Sequence, residues 1–115
     1  MKPSNYILDD KGKPVAEPDI VTWGRWFEAN PKAKILKQTT LANDKWVSTV
    51  FLGIDHNFAE TGPPVLWESM VFPKHGDYGD LDCQRYSSRS AALRGHKKLC
   101  AKHSLYLVSN EEDSA

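Results

Sequence analysis

Trp46-Val47-Ser48-Thr49-Val50-Phe51-Leu52-Gly53-Ile54 is the stretch on which the fold turns. It is rich in β-branched and aromatic residues, which suit a pleated, half-buried strand. Strand side chains alternate, so Trp46, Val50, Leu52 and Ile54 share one face with Ser48, and Val47, Thr49, Phe51 and Gly53 share the other. Apolar groups on both faces mark a central strand. Upstream, residues 34–41 form a second β-rich run. Ala42-Asn43-Asp44-Lys45 supplies turn chemistry between the two, so they read as an antiparallel hairpin. Downstream, a loop from Asp55 to Pro64 leads to Val65-Leu66-Trp67-Glu68-Ser69-Met70-Val71-Phe72, a further strand. Pro73-Lys74-His75-Gly76-Asp77-Tyr78-Gly79-Asp80 is then a loop by composition.

Working outward, Tyr6-Ile7-Leu8, the turn Asp10-Lys11-Gly12-Lys13 and Val15 predict a small hairpin or strand over residues 6–15, with Pro14 confining it to an edge. Asp19 can cap a helix over residues 19–29, whose apolar stripe is Ile20, Trp23, Gly24 and Phe27; Asn30-Pro31 stops it. Ser87 or Ser88 can cap a last helix running to about His103. Gly95 inside it costs roughly 1 kcal/mol against alanine, which points to a close approach there. Leu105-Tyr106-Leu107-Val108 reads as an extended docking segment. The expected order is β-α-β-β-β-α. That describes one α+β domain over residues 1–109, with an antiparallel sheet of about four strands, both helices on one face, and an acidic flexible tail at 110–115.

The 115 residues carry 15 Lys+Arg against 15 Asp+Glu, for a formal net charge of zero, which gives no support to a partner held by overall charge such as duplex DNA or an anionic membrane. The opening residues lack the apolar run of a secretory signal, and no stretch approaches the ~18 apolar residues of a membrane span. A cytoplasmic protein is expected, with Cys83 and Cys100 as free thiols. Phosphate-binding loops, dinucleotide fingerprints, paired-cysteine zinc motifs and nucleophile elbows are missing from the sequence, so no cofactor is expected.

Candidate sites remain. His96, Cys100 and His103 lie on one face of the last helix, but ~10.5 Å of axial rise separates the two histidines, too far to share one zinc. A packed helix stripe is the competing reading. Glu68 shares its face with Leu66, Met70 and Phe72. If that face meets the helices, its carboxylate needs a partner, and His56, His96 or Arg94 can supply one. A cluster of His56, Glu68 and His96 is therefore the catalytic candidate, against an outward, solvated Glu68. Asp55 and His56 end the central strand pointing to opposite faces. Asp77, Asp80 and Asp82 lack calcium-loop spacing. The basic clusters Lys32-Lys34-Lys37 and Arg85-Arg89-Arg94-Lys97-Lys98 read first as solvated faces. Two small helices cover only one sheet face, so an uncovered face bearing Phe51 or Trp67 is expected as a binding surface or dimer interface.

The stretch from Trp46 to Phe58, the run Gly62-Pro63-Pro64 through Phe72, Arg85-Tyr86-Ser87 and Gly95-His96 resemble a family of small proteins encoded by tailed bacteriophages and prophages. The resemblance extends to Tyr6-Ile7-Leu8-Asp9 and the helix with Trp23 and Trp26. Its specific part surrounds Asp55-His56 and Pro63-Pro64. Trp67 stands where a smaller aromatic is expected and Ser69 where threonine is similar. The family has no established activity, so the resemblance implies a phage setting in a bacterial cell and transfers no catalytic residue. The leading expectation is a phage or prophage accessory protein that binds a host protein or a defence system, with Asp55, His56, Phe51, Trp67 and Arg94 as binding candidates and a homodimer through the sheet face as a variant. The alternatives are a small enzyme or metal site using His56, Glu68 and His96, and a nucleotide or nucleic-acid module using the helix arginines.

Overall fold

A computed structural model describes residues 2–114, with side chains described for residues 2–104. The last helix runs past His103 to Ser114, so residues 105–108 are helical rather than the expected extended segment; the side chains there and in the acidic tail 110–115 lie outside those described. The elements are β1 (Tyr6–Leu8), β2 (Pro14–Ala16), α1 (Ile20–Ala29), β3 (Ile35–Thr40), β4 (Trp46–Phe51), β5 (Trp67–Phe72), β6 (Asp82–Tyr86) and α2 (Arg89–Ser114). They form an α+β architecture, with β3-β4-β5-β6 as a four-stranded antiparallel sheet and β1-β2 as a separate hairpin.

The N-terminal strands therefore do not join the main sheet. Its fourth strand is β6, in the stretch expected only to lead into the last helix. Asp82-Cys83-Gln84-Arg85-Tyr86 lacks the apolar alternation of a buried strand because it lies at the sheet edge, with only one side paired. The hairpin docks instead against the end of β4. Tyr6 donates its amide to the Gly53 carbonyl at 2.8 Å, and the Trp23 indole nitrogen of α1 donates to both Tyr6 O and Gly53 O at 3.1 Å. Gly53 is needed here: its φ is +73°, and a Cβ would fall 1.9 Å from the Phe27 ring.

Both helices pack on one face of the sheet. Phe51, Leu66, Trp67 and Ala92 form one buried cluster, closed by Trp26, Phe27, Leu36 and Tyr86. Val47, Val71 and Leu99 form a second, beside Leu41 and Cys100. Phe51 and Trp67 are each 3% exposed, so the expectation that either stands on the uncovered face is overturned. The alternation was read correctly, but the helices chose the face of Val47, Thr49 and Phe51 because β5 presents Trp67, Ser69 and Val71 opposite them. The uncovered face carries Trp46, Val50, Met70 and Phe72 with Ser48 and Glu68.

Candidate functional site

The Asp55 carboxylate is buried where the chain leaves β4. Its Oδ1 accepts amides from Asn57 at 2.7 Å and Val65 at 2.9 Å, and Lys2 Nζ lies 3.3 Å from Oδ2. Burial pushes this carboxyl up, but the two amides and Lys2 outweigh it and hold its pKa below the ordinary value. Asp55 thus pins both ends of the 55–65 loop and the N-terminal segment. His56 points elsewhere: its Nδ1–H donates to the Ile54 carbonyl at 2.8 Å, and its ring lies 6.0 Å from that of Phe58.

His96 is 1% exposed, on the face of α2 turned to the sheet. Its Nε2 meets Thr39 Oγ1 at 2.8 Å and its Nδ1 meets Thr49 Oγ1 at 2.7 Å. Thr49 in turn bonds the Ser69 hydroxyl. A neutral imidazole has one donor and one acceptor nitrogen, and rotatable hydroxyls can complement either tautomer. Burial, with Lys37 adding repulsion, lowers the His96 pKa and keeps the ring neutral. This is a satisfied core histidine bridging β3, β4 and α2. Thr39 and Thr49 were missed as its partners, and Ser69 as the partner of Thr49; their signal was a hydroxyl on the covered face of each of three adjacent strands.

Glu68 lies on the opposite side of the sheet, 8% exposed, paired across the β5-β6 ladder with Arg85. Arg85 Nε donates to Glu68 Oε2 at 2.8 Å. Glu68 and His96 are therefore separated by the sheet itself, and His56 is engaged with its own loop. The three residues are not assembled into one site. The outward orientation expected for Glu68 holds, but the residue is not solvated: its neighbours on that face leave it 8% exposed, and Arg85 pairs with it.

The other titratable groups are likewise dispersed. His103 Nε2 and Lys102 Nζ both reach Asp82 Oδ2, at 3.1 and 2.7 Å, while Cys100 packs by Val47 and Val71. Burial pushes the Cys100 thiol up, partly offset by Thr39 and Lys37. Among the described residues no three His, Cys, Asp or Glu side chains are placed to hold one metal ion. Asp77 accepts the Gly79 amide at 3.0 Å, so it closes its own turn and does not join Asp82.

Two clefts of about 430 Å³ each flank the helices. One has Trp26, Phe51 and Trp67 in its floor and Asp9, Lys32 and Lys34 on its rim. The other runs between β6 and α2, where Gln84 and Tyr86 face Arg94, Gly95, Lys98 and Lys102. Gly95 is the close approach that its place in a helix interior signalled: a Cβ there would fall 2.2 Å from the Tyr86 hydroxyl. On the uncovered sheet face, Trp46 stacks on Phe72 at 4.7 Å and on His75 at 4.6 Å, and Tyr78 meets Phe72 edge-on at 6.5 Å. Trp46 was read onto this face from alternation; His75 and Tyr78 had no periodic signal because they lie in a loop.

Comparison with protein-family models, with curated proteins and with solved structures finds no match to this chain. No helix among the described residues is long and apolar enough to cross a membrane.

Proposed function

We propose that this protein acts by non-enzymatic binding and that the uncovered face of the β3-β6 sheet is its protein-docking surface. The observation that carries the reading is the composition of that face. Trp46, Val50, Met70, Phe72 and Tyr78 surround a single charged pair, Glu68–Arg85, whose carboxylate is already desolvated and neutralised. Interface cores are enriched in aromatics, Met and Arg and depleted of unpaired charge. A partner closing over this face adds no new buried charge, and Trp46 and Tyr78 offer large, stiff contact area. In the phage or prophage setting implied by the resemblance, the protein works in the bacterial cytoplasm and its partner is a host protein, with a component of a defence system as one such target. A second copy of the chain is the alternative occupant.

Met70→Asp tests the reading, because it sets a carboxylate amid the half-buried apolar groups of this face while leaving the helix-covered face untouched. Sedimentation velocity and capture of host proteins by the full chain are measured for both forms, with circular dichroism as the folding control. The expected result is that the native chain either self-associates or retains one protein in stoichiometric amount, and that the folded variant loses it. Identical behaviour of the two forms overturns the assignment.

A further inference from the structure

We propose that the groove between β6 and α2 binds an extended acidic peptide, which adds to the free edge of β6 as a fifth strand of the sheet. β6 pairs with β5 alone, so its other edge faces no strand among the described residues; of its amides, that of Cys83 is held only by the adjacent Asp82 carboxylate, at 3.0 Å. An edge of this kind is a template for strand addition, in which main-chain hydrogen bonds give affinity and flanking pockets give specificity. The second wall is a helix lying alongside. Tyr86 at the end of β6 meets Gly95, and Asp82 at its start meets Lys102, so α2 runs antiparallel to β6 and follows it along its length.

The helix wall states the chemistry of the occupant. Arg94, Lys98 and Lys102 succeed one another at intervals of four residues, which stacks them on one side of the helix about 6 Å apart. An extended chain repeats the same face every second residue, about 6.6–6.8 Å. Carboxylates at alternate positions of a β6-paired peptide therefore keep step with this row of cations. The protein already contains one such contact: Asp82, on β6 itself, accepts from Lys102 at 2.7 Å. Arg94 and Lys98 are exposed and form no ion pair among the described residues. The groove floor is apolar, from the Tyr86 ring, which packs directly on Gly95, and from Ala91 and Leu99, and the cavity measures about 430 Å³.

A nucleic-acid strand fits this site less well. Its phosphodiester backbone cannot pair with the β6 edge as a peptide strand does, and the row of cations is short, ending at Lys102, which already pairs with Asp82. The site is also separate from the uncovered sheet face, so either can fail alone.

The probe is a short fluorescein-labelled peptide of alternating glutamate and valine, titrated with the full chain in fluorescence anisotropy. Three controls accompany it: the lysine-valine peptide, a glutamate peptide with proline at alternate positions, and a short single-stranded oligonucleotide. Saturable binding of the glutamate-valine peptide is expected, with loss of affinity of at least about tenfold in Arg94→Glu/Lys98→Glu, because like charges across an interface are strongly disfavoured. The proline peptide, which lacks the amides needed for strand pairing, should bind much more weakly. Both substituted residues are exposed, and the milder Arg94→Gln/Lys98→Gln pair should give an intermediate loss in a chain with native circular dichroism. Absence of binding, binding unchanged by the charge reversal, equal binding of the proline peptide, or tighter binding of the oligonucleotide would each overturn the proposal.

Discussion

The two faces of the main sheet solve the same problem in opposite ways. Each has polar groups in the middle of an apolar surface. On the covered face, Thr39, Thr49 and Ser69 surround His96, and every member is electrically neutral. On the uncovered face, Glu68 and Arg85 keep full charges and cancel them locally. The difference follows from access to water. The Arg85 side chain is 49% exposed, so its guanidinium stays hydrated while its Nε reaches inward; His96 has no such route and stays neutral. A face sealed by helices tolerates hydroxyls and imidazole, whereas a face awaiting a partner can tolerate a charge already matched.

The largest test of this contrast compares two tryptophans. Trp67→Ala removes a side chain from the covered core and should cost about 3–5 kcal/mol, enough to threaten folding of so small a domain. Trp46→Ala on the uncovered face removes a half-buried ring and should cost only about 1–2 kcal/mol. Urea unfolding of both variants measures the gap. Equal losses would mean that the uncovered face is itself part of the core, and the docking assignment would lose its basis.

A smaller effect isolates His96. Its folded pKa is depressed, so unfolding takes up a proton in the window below the unfolded value of about 6.5. The stability contributed by the neutral ring is fully present above that value and is lost as pH falls through the folded pKa. The depressed carboxyls Asp19, Asp55 and Asp82 act the same way at lower pH, below their ordinary value of 3.8, so the mildly acidic window reads His96. The native chain should therefore lose stability between neutral and mildly acidic pH, while His96→Gln starts less stable and shows a flatter profile. A native profile that is flat through this window contradicts a neutral, buried imidazole.

Much of this frame was legible in the sequence, for physical reasons that differ by residue. The alternation from Trp46 to Phe51 set which side chains share a face, and Asp19, Asn30-Pro31 and Gly95 marked a cap, a stop and a close approach. Which face would be covered was not legible, since Trp46 and Val50 are as apolar as Val47 and Phe51. That choice came from long-range pairing, which sets Trp67, Ser69 and Val71 of β5 beside Phe51, Thr49 and Val47 on the face that α2 covers with Ala92, His96 and Leu99. β6 was hidden because an edge strand needs no apolar pattern, and with it went the groove along α2. Asp55 drew attention as a binding candidate by its position after the central strand. Its two backbone amide partners, one of them ten residues away at Val65, show that it closes a loop.

The smallest effect on stability gives the sharpest local reading of the uncovered face. Glu68→Gln keeps an oxygen for Arg85 Nε and keeps the side-chain shape, and because Arg85 is half exposed the change in folding stability should stay within about 1 kcal/mol. Its neighbour Cys83 is the reporter. Burial first, and then the adjacent Glu68 carboxylate, push the Cys83 thiol above its ordinary value, since a thiolate there would be poorly solvated and would face another anion. Removing the carboxylate's charge relieves the second cause and leaves the first. In a Cys100→Ser background, where Cys83 is the sole thiol, the pH profile of its alkylation should move toward lower pH in Glu68→Gln while the melting curve barely shifts. An unmoved profile would place Glu68 away from Cys83 and leave the uncovered face without its central charge. A shifted profile together with a large loss of stability would mean that the Glu68–Arg85 pair holds the sheet together, and the contrast between a sealed face and a waiting one would fail.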